Sequence, residues 1–192
     1  MYLVYTSPSS STMTPKANPL PNPHRYITDN SNTDGQSFFS ASISEELPPT
    51  GDLGDGVFQR LGYTTDGPSP IQLTSDLVAY KEALHNPHPH PLVRPGGGCN
   101  VWYIDTPPGA ASPMHRTVSL DVVIQVAGEI QLTLSNNETR TIKPGDMVVQ
   151  RSTLHRWYNP SKDVWSRFVG IMAECQPVVT DGAGRLDAFF ED

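Results

Sequence analysis

The chain has 192 residues, 13 Lys and Arg against 20 Asp and Glu, and a formal net charge of −7. Its basic residues form no run that could neutralise a phosphate backbone or an acidic membrane, so we expect neither nucleic acid nor a membrane as a partner. The length favours one domain, and the absence of a signal-peptide core or a bilayer-spanning apolar run leads us to expect a cytosolic protein with two free thiols, Cys99 and Cys175.

The amino-terminal part predicts a tail followed by an extension. Residues 1–22 are rich in Ser, Pro and Asn, which predicts a disordered or extended tail. Residues 23–94 then begin with a hairpin, in which Arg25–Thr28 and Ser37–Phe39 flank an Asp-Gly turn. Val57–Tyr63 alternates as a strand. Asp76–Asn86 predicts the one helix, because its apolar residues fall mainly along one side and a Pro-rich stretch follows.

From residue 95 onward, short apolar runs separated by turn residues predict one strand after another. The predicted strands are Val101–Ile104, Val122–Val126, Ile130–Leu134, Met147–Val149 and Trp165–Met172. Strict alternation in Ile130–Leu134 places one face in a core and the other in water. Residues 95–180 therefore predict an all-β sandwich or barrel, and residues 181–192 an acidic carboxy-terminal tail.

Two blocks of this region resemble the signature motifs of the cupin superfamily. The first is GAASPMHRTVSLDVVIQVAG from Gly109, and the second is GDMVVQRSTLHRWYN from Gly145. The family's first motif has Gly, five residues, His-x-His, three or four residues, Glu, six residues and Gly; its second has a Gly-Asp turn, a His and an Asn. Thr117 stands at the second His position and Asp121 at the Glu position. The positions that match are Gly109, His115, Gly128, Gly145, His155 and Asn159.

The resemblance implies a cupin jelly roll, or double-stranded β-helix, with an amino-terminal extension and one short helix. It also implies that His115, Asp121 and His155 point into the mouth of the barrel. Two imidazoles and a carboxylate would suit one divalent metal such as Zn, Fe or Mn. A metal-free pocket, in which a histidine acts as acid or base, is the open alternative.

Further side chains around the motifs are candidates for the site. Arg151 joins His115, His155 and Asp121 as a catalytic candidate, and Arg116, Arg151 or Arg167 would hold a substrate carboxylate through a two-pronged hydrogen bond. The candidates for substrate binding are Trp102, Arg116, Thr117, Gln150 and Trp157. His85, His88 and His90 lie in a Pro-rich stretch that predicts a flexible loop.

The strings HRTxSxD, PGD and QRxTxHRWYN resemble a group of small single-domain cupins, of which the fungal members often accompany natural-product enzymes. The group includes decarboxylases, dehydratases and cyclising enzymes. The resemblance therefore implies a lyase that removes CO₂ or water from an enolisable, polyketide-like or aromatic acid. A metal-free isomerase or cyclase and a metabolite-binding protein without catalysis are the alternatives. We also expect a homodimer, formed through the segments around Phe38 and Phe58.

Overall fold

The computed structural model describes residues 17–68, 71, 74–86 and 90–191, which form many strands and a single α-helix. In chain order the elements are β1 (Thr28–Asn30), β2 (Ser37–Phe39), β3 (Gly51–Asp52), β4 (Phe58–Thr65), α1 (Ser75–His85), β5 (Cys99–Thr106), β6 (His115–Arg116), β7 (Ser119–Ala127), β8 (Ile130–Leu134), β9 (Thr139–Ile142), β10 (Met147–Arg151), β11 (His155–Tyr158), β12 (Ser166–Glu174), β13 (Val178–Thr180), β14 (Gly184–Leu186) and β15 (Phe189–Phe190). In the described part of the chain, no helix is long and apolar enough to cross a membrane.

Two antiparallel sheets make the barrel. A six-stranded sheet has the order β10-β7-β12-β5-β4-β3, and a five-stranded sheet has the order β15-β6-β11-β8-β9. The buried core draws on both sheets, with Trp102 and Val123 from the first and Ile130, Leu132 and Trp157 from the second. This is the double-sheet jelly roll that the sequence predicts, and the all-β fold class is confirmed.

Most predicted elements are present, although several strands run further than the apolar letters do. The hairpin forms between β1 and β2, but its first strand, Thr28–Asn30, shares only Thr28 with the predicted Arg25–Thr28. The helix lies within one residue of its predicted ends. β5 continues through the polar residues Asn100 and Asp105 because it is a central strand, flanked by β4 and β12, in which these side chains are buried and hydrogen-bonded. A strand predicted from its apolar residues alone stops at such polar positions, which is why the predicted strand is shorter than β5.

The amino-terminal extension lengthens the six-stranded sheet. β4 pairs along β5, and α1 packs on β4 through the fully buried side chain of Tyr80. The Tyr80 hydroxyl lies 2.6 Å from the carbonyl of Leu61, to which it donates, and accepts a hydrogen bond from Arg25. The helix therefore covers the sheet on the strand next to β5.

Two motif residues have structural roles. Gly128 has φ of 60°, and a Cβ there would lie 2.3 Å from the carbonyl oxygen of Trp165, so no larger residue fits. Asn159 is fully buried, and its side-chain amide donates to the carbonyls of Thr106 and Val164. Both residues hold the turns that connect the two sheets.

A buried ion cluster lies on the outer face of the six-stranded sheet. Asp105 is fully buried and accepts from Arg60 Nη1 at 2.5 Å and from Arg167 Nε and Nη2 at 2.5 and 2.7 Å. Asn18 Nδ2 also donates to Asp105, and the carbonyl of Pro21 accepts from Arg167. Residues 18–22 are thus held across the outside of the sheet by charge-assisted hydrogen bonds.

We expect Asp105→Asn to destabilise the fold strongly, because it leaves two buried guanidinium groups without a counter-charge. Breaking a buried pair in this way costs about 3–5 kcal/mol. Asp187→Asn is the control, since Asp187 and Arg185 form an exposed pair and such pairs contribute about 1 kcal/mol or less. Urea unfolding of the two variants measures the difference. Equal losses would show that the Asp105 cluster does not anchor the sheet.

Candidate active site

A cavity of about 580 Å³ lies between the two sheets. Most of its wall is apolar and includes Leu61, Trp102, Val123, Trp157 and Phe168. Its polar side chains form one group where β6 and β11 face β7 and β10, and others lie around β3, β4 and the end of α1, at Thr50, Asp52, Asp55, Gln59, Asn86 and His90. The cavity is large enough for a small organic molecule with one or two rings.

Two cross-strand pairs bring the motif residues together. His115 on β6 lies opposite His155 on β11, with 4.2 Å between ring centroids, and Asp121 on β7 lies opposite Gln150 on β10. The pairs belong to different sheets, and Gln150 connects them. Its Nε2 lies 3.0 Å from His155 Nε2 and 3.3 Å from Asp121 Oδ2. Strand register therefore assembles the polar cluster from residues of both motifs.

Backbone carbonyls determine which nitrogen of each imidazole carries the proton. Nδ1 of His115 lies 2.9 Å from the carbonyl oxygen of Pro113, and Nδ1 of His155 lies 2.9 Å from that of Thr153. Each Nδ1–H donates to its carbonyl, so in the neutral rings Nε2 is the unprotonated nitrogen. Gln150 can then donate to His155 Nε2, as the 3.0 Å distance requires.

Burial shifts the acid–base properties of the cluster toward uncharged forms. It lowers the pKa of His155 to about 3, an effect to which the neighbouring His115 adds, and it lowers the pKa of His115 as well. It raises the pKa of Asp121 to about 6, against the opposing effect of hydrogen bonds from Ser119 and Gln150. Near neutral pH the imidazoles are therefore neutral, and Asp121 exchanges its proton close to the working range of a general acid or base.

Four of the five predicted substrate-binding residues line the cavity. Trp102 and Trp157 form apolar walls, and the indole N–H of Trp102 donates to the carbonyl of Leu92. Thr117 is buried, with its hydroxyl 2.7 Å from Ser119 Oγ. Gln150 also lines the cavity.

The arginines do not line the cavity, which corrects their assignment to the site. Arg151 is exposed because it follows the inward-facing Gln150, and adjacent residues of a strand point to opposite faces. Arg116 follows His115 in the same way, and its Nε donates to the carbonyl of Ser152. Arg167 belongs to the Asp105 cluster outside the sheet. Among the described lining residues there is no Lys or Arg, and hence no cation for a substrate carboxylate.

The two described histidines of the Pro-rich stretch, His85 and His90, have different surroundings. His85 is exposed at the end of α1, where its Nδ1 lies 2.7 Å from the carbonyl of Lys81, and His88 lies outside the described residues. His90 lines the cavity and contacts Trp102 and Asn100. The predicted flexible loop contributes several wall residues, among them Asn86, His90 and Leu92.

Phe190 is a cavity residue that the sequence analysis missed. β15 pairs with β6, and the Phe190 ring stacks on His115 at a centroid distance of 5.3 Å and an interplanar angle of 12°. It lies within the predicted acidic tail. The apolar pair Phe189-Phe190 was the signal that could have indicated a strand there.

The polar cluster has unsatisfied oxygen atoms that bear on metal binding. In the described residues, Oδ1 of Asp121 and Oε1 of Gln150 are buried without a hydrogen-bond partner. No three His, Cys, Asp or Glu side chains in the same residue set form a metal-binding group. His115, His155 and Asp121 therefore fit a divalent metal only if a further donor completes the set, and the unpaired Gln150 oxygen is such a donor.

Comparison with known proteins gives clear relatives. The chain is 38% identical over 163 residues to Phomopsin biosynthesis cluster protein C' of Diaporthe leptostromiformis, with 85% of this chain and 84% of the relative covered. It is 32% identical over 163 residues to Cupin-domain-containing oxidoreductase srdB of Neurospora crassa, with 85% and 79% covered. No family model matches the chain.

Among solved structures, the polyketide cyclase RemF from Streptomyces resistomycificus is similar over 70% of each chain, with 14% sequence identity and a TM-score of 0.42. The fungal relatives match this chain across both motifs and most of their own length. The chain therefore belongs to the cupin superfamily, among the small single-domain members of the kind found in fungal natural-product biosynthesis.

Proposed function

We propose that this protein is an enzyme of fungal secondary metabolism that moves protons on an uncharged, ring-bearing small molecule and thereby dehydrates or isomerises it. The observation that carries this proposal is the hydrogen-bonded cluster of Asp121, Gln150 and His155 at one end of an apolar cavity. The sequence similarity to fungal proteins, one of which is named as a biosynthesis cluster protein, supports a role in secondary metabolism.

The cluster contains an acid and a base with separate roles. His155 Nε2 is engaged by Gln150, whereas His115 Nε2 is the unprotonated nitrogen of a ring that lines the cavity, so His115 is the proposed base. In a dehydration, His115 removes a proton from carbon, and protonated Asp121 gives its proton to the departing hydroxyl, which leaves as water. Gln150 positions the Asp121 carboxyl and the His155 ring.

The cavity wall indicates the substrate class. The described lining residues carry no Lys or Arg, so without a bound cation an ionised carboxylate would be desolvated there without a partner. Acid–base chemistry by the side chains alone therefore favours an uncharged substrate, and with it dehydration or isomerisation, over loss of CO₂ from a carboxylate. Trp102, Trp157 and Phe168 provide flat apolar surfaces for a ring.

A metal is the second element of the proposal, because cupins often bind one. His115, His155 and Asp121, with a further oxygen donor, would hold it. When bound, a divalent ion would stabilise negative charge on a substrate oxygen or supply redox chemistry. The name of the Neurospora relative makes an oxidoreductase the second candidate function, and since the side chains of the cluster do not change oxidation state, that function would need a bound redox-active metal or an organic redox cofactor.

We further propose a homodimer and retain the predicted cytosolic location. Phe38 and Phe39 are exposed, as are Leu120, Met147 and Val149 on the outer side of the six-stranded sheet. Phe58 is less available for contact with a second copy, since it stacks on Trp165.

Light scattering should give a mass near twice 21.0 kDa, and a value of one chain mass would refute the dimer.

Asp121→Asn and His115→Gln should each reduce turnover by about 10²–10⁴-fold, the usual contribution of a positioned acid or base. Both changes preserve approximate size, so the dissociation constant for the substrate should stay within a few-fold. Product formation from a panel of uncharged, ring-bearing polyketide intermediates, followed by mass spectrometry, measures the effect. Arg151→Gln is the control and should retain full turnover, because Arg151 lies outside the cavity. Unchanged turnover in Asp121→Asn would remove the carboxyl from the mechanism, and binding without turnover by the wild type would indicate a metabolite-binding protein.

The desolvation of Asp121 can be tested without a substrate. Its folded pKa of about 6 lies above its ordinary value, so the folded protein holds the proton more tightly than the unfolded chain. The wild type therefore loses stability relative to Asp121→Asn as pH rises from about 4 through 6. At pH 7 the gap should be roughly 2–3 kcal/mol, since one pKa unit corresponds to about 1.4 kcal/mol, and it should be constant below pH 4. Urea unfolding at several pH values measures it, and a gap that does not vary with pH would contradict the burial of the charge.

A further inference from the structure

Gln150 occupies the centre of the polar cluster. It is buried at 5% exposure, on the strand position opposite Asp121, and its Nε2 contacts groups from both sheets. The two groups that it contacts, the Asp121 carboxyl and His155 Nε2, are both acceptors when Nδ1 of His155 carries the ring proton. The amide N–H₂ therefore serves the two acceptors together.

The same orientation leaves oxygen atoms unsatisfied. Gln150 Oε1 and Asp121 Oδ1 are both buried without a hydrogen-bond partner in the described part of the chain. A buried polar atom without a hydrogen-bond partner destabilises the folded state, because it has lost its contacts with water and gained none in return. These two oxygen atoms belong to the same cluster as the unprotonated Nε2 atoms of His115 and His155. The cluster therefore has several electron-pair donors and few hydrogen-bond donors, and a bound cation would satisfy the unpaired oxygens.

Thr117, at the family's second His position, does not supply the missing donor. Its hydroxyl is 2.7 Å from Ser119 Oγ, and its backbone carbonyl accepts from Ser152. Gln150 is better placed, because it already lies within 3.0 Å of His155 and 3.3 Å of Asp121. Rotation of the terminal amide by a half-turn exchanges its oxygen and nitrogen without changing its shape.

We propose that Gln150 is a metal ligand that replaces the histidine lost at Thr117. With a divalent cation present, Oε1 of Gln150 turns toward the ion, which is also held by Nε2 of His115 and His155 and by the Asp121 carboxylate. Two imidazoles and two oxygen donors suit zinc, iron(II), cobalt(II) or manganese. In the metal-free protein the amide presents N–H to the same groups, so one side chain satisfies both states. The inference rests on the proposed location of the site but not on its proton-transfer chemistry.

The test is metal binding by the purified full chain. The wild type, Gln150→Ala, Gln150→Glu and Thr117→Val are stripped with a chelator and titrated with Zn²⁺ against a competing indicator. We expect one ion per wild-type chain and a loss of at least about 10- to 100-fold in affinity for Gln150→Ala, since even residues that only support a ligand contribute that much. Gln150→Glu keeps the reach, adds a charged oxygen and should bind at least as tightly as the wild type. Thr117→Val, which removes only the hydroxyl, should bind like the wild type.

A second measurement reports on the amide itself. In ¹⁵N-labelled protein, the side-chain N–H₂ signals of Gln150, assigned by their absence from Gln150→Glu, should shift when Zn²⁺ is added, because the hydrogen bonds to His155 and Asp121 break. Thermal melts establish that each variant is folded; should Gln150→Ala fail to fold, the glutamate variant and the amide shift decide. Wild-type affinity in folded Gln150→Ala, an unmoved amide signal, or no Zn²⁺ bound by the wild type would each overturn the proposal. The last result would leave the acid–base function to be judged by turnover alone.

Discussion

The alternation of side chains along a β-strand is the constraint on which the site depends. Each strand of the barrel has one face toward the cavity and one face away from it, so adjacent residues have opposite environments. Gln150 enters the polar cluster, and Arg151 is exposed. Ile104 and Thr106 line the cavity, and Asp105 between them belongs to the ion cluster outside. Chemistry inside the barrel and stabilisation outside it therefore come from the same short strands.

The clusters around Asp105 and Asp121 both bury a carboxyl group, but among the described residues only Asp105 has positively charged partners. Asp105 is surrounded by donors from Arg60, Arg167 and Asn18, so the cost of removing its charge from water is offset by charge-assisted hydrogen bonds. Asp121 has no cation beside it in the part of the chain described, and burial raises its pKa. A carboxyl that is buried but incompletely paired remains chemically responsive, as a proton donor or as a ligand. This difference explains why one aspartate is structural and the other is a candidate for catalysis.

Two departures from the cupin motif give the site its particular character. Thr117 removes one nitrogen donor from the site, and Asp121 carries its carboxylate on a side chain one methylene shorter than that of Glu. Gln150 fills the space between the remaining groups with an amide that can donate or accept. Aromatic side chains, including Phe190 from the carboxy-terminal strand, enclose the polar groups and limit access of water to His115. The same cavity therefore offers a few polar contacts and a large apolar surface, as sites for ring-bearing metabolites require.

The local part of this arrangement could be predicted from the sequence. Alternation predicted the strand Ile130–Leu134, and a Pro-rich stretch marked the end of the helix. The resemblance of two blocks to the cupin motifs implied the jelly roll and pointed to His115, Asp121 and His155. Each of these signals lies within a short stretch of chain. What only the tertiary structure decided is which residues meet: the contact of Gln150 with His155, the stacking of Phe190 on His115 and the capture of Arg167 by Asp105. These contacts depend on strand register and on the pairing of segments distant in sequence, and a one-residue change of register would exchange the inward and outward faces of a strand.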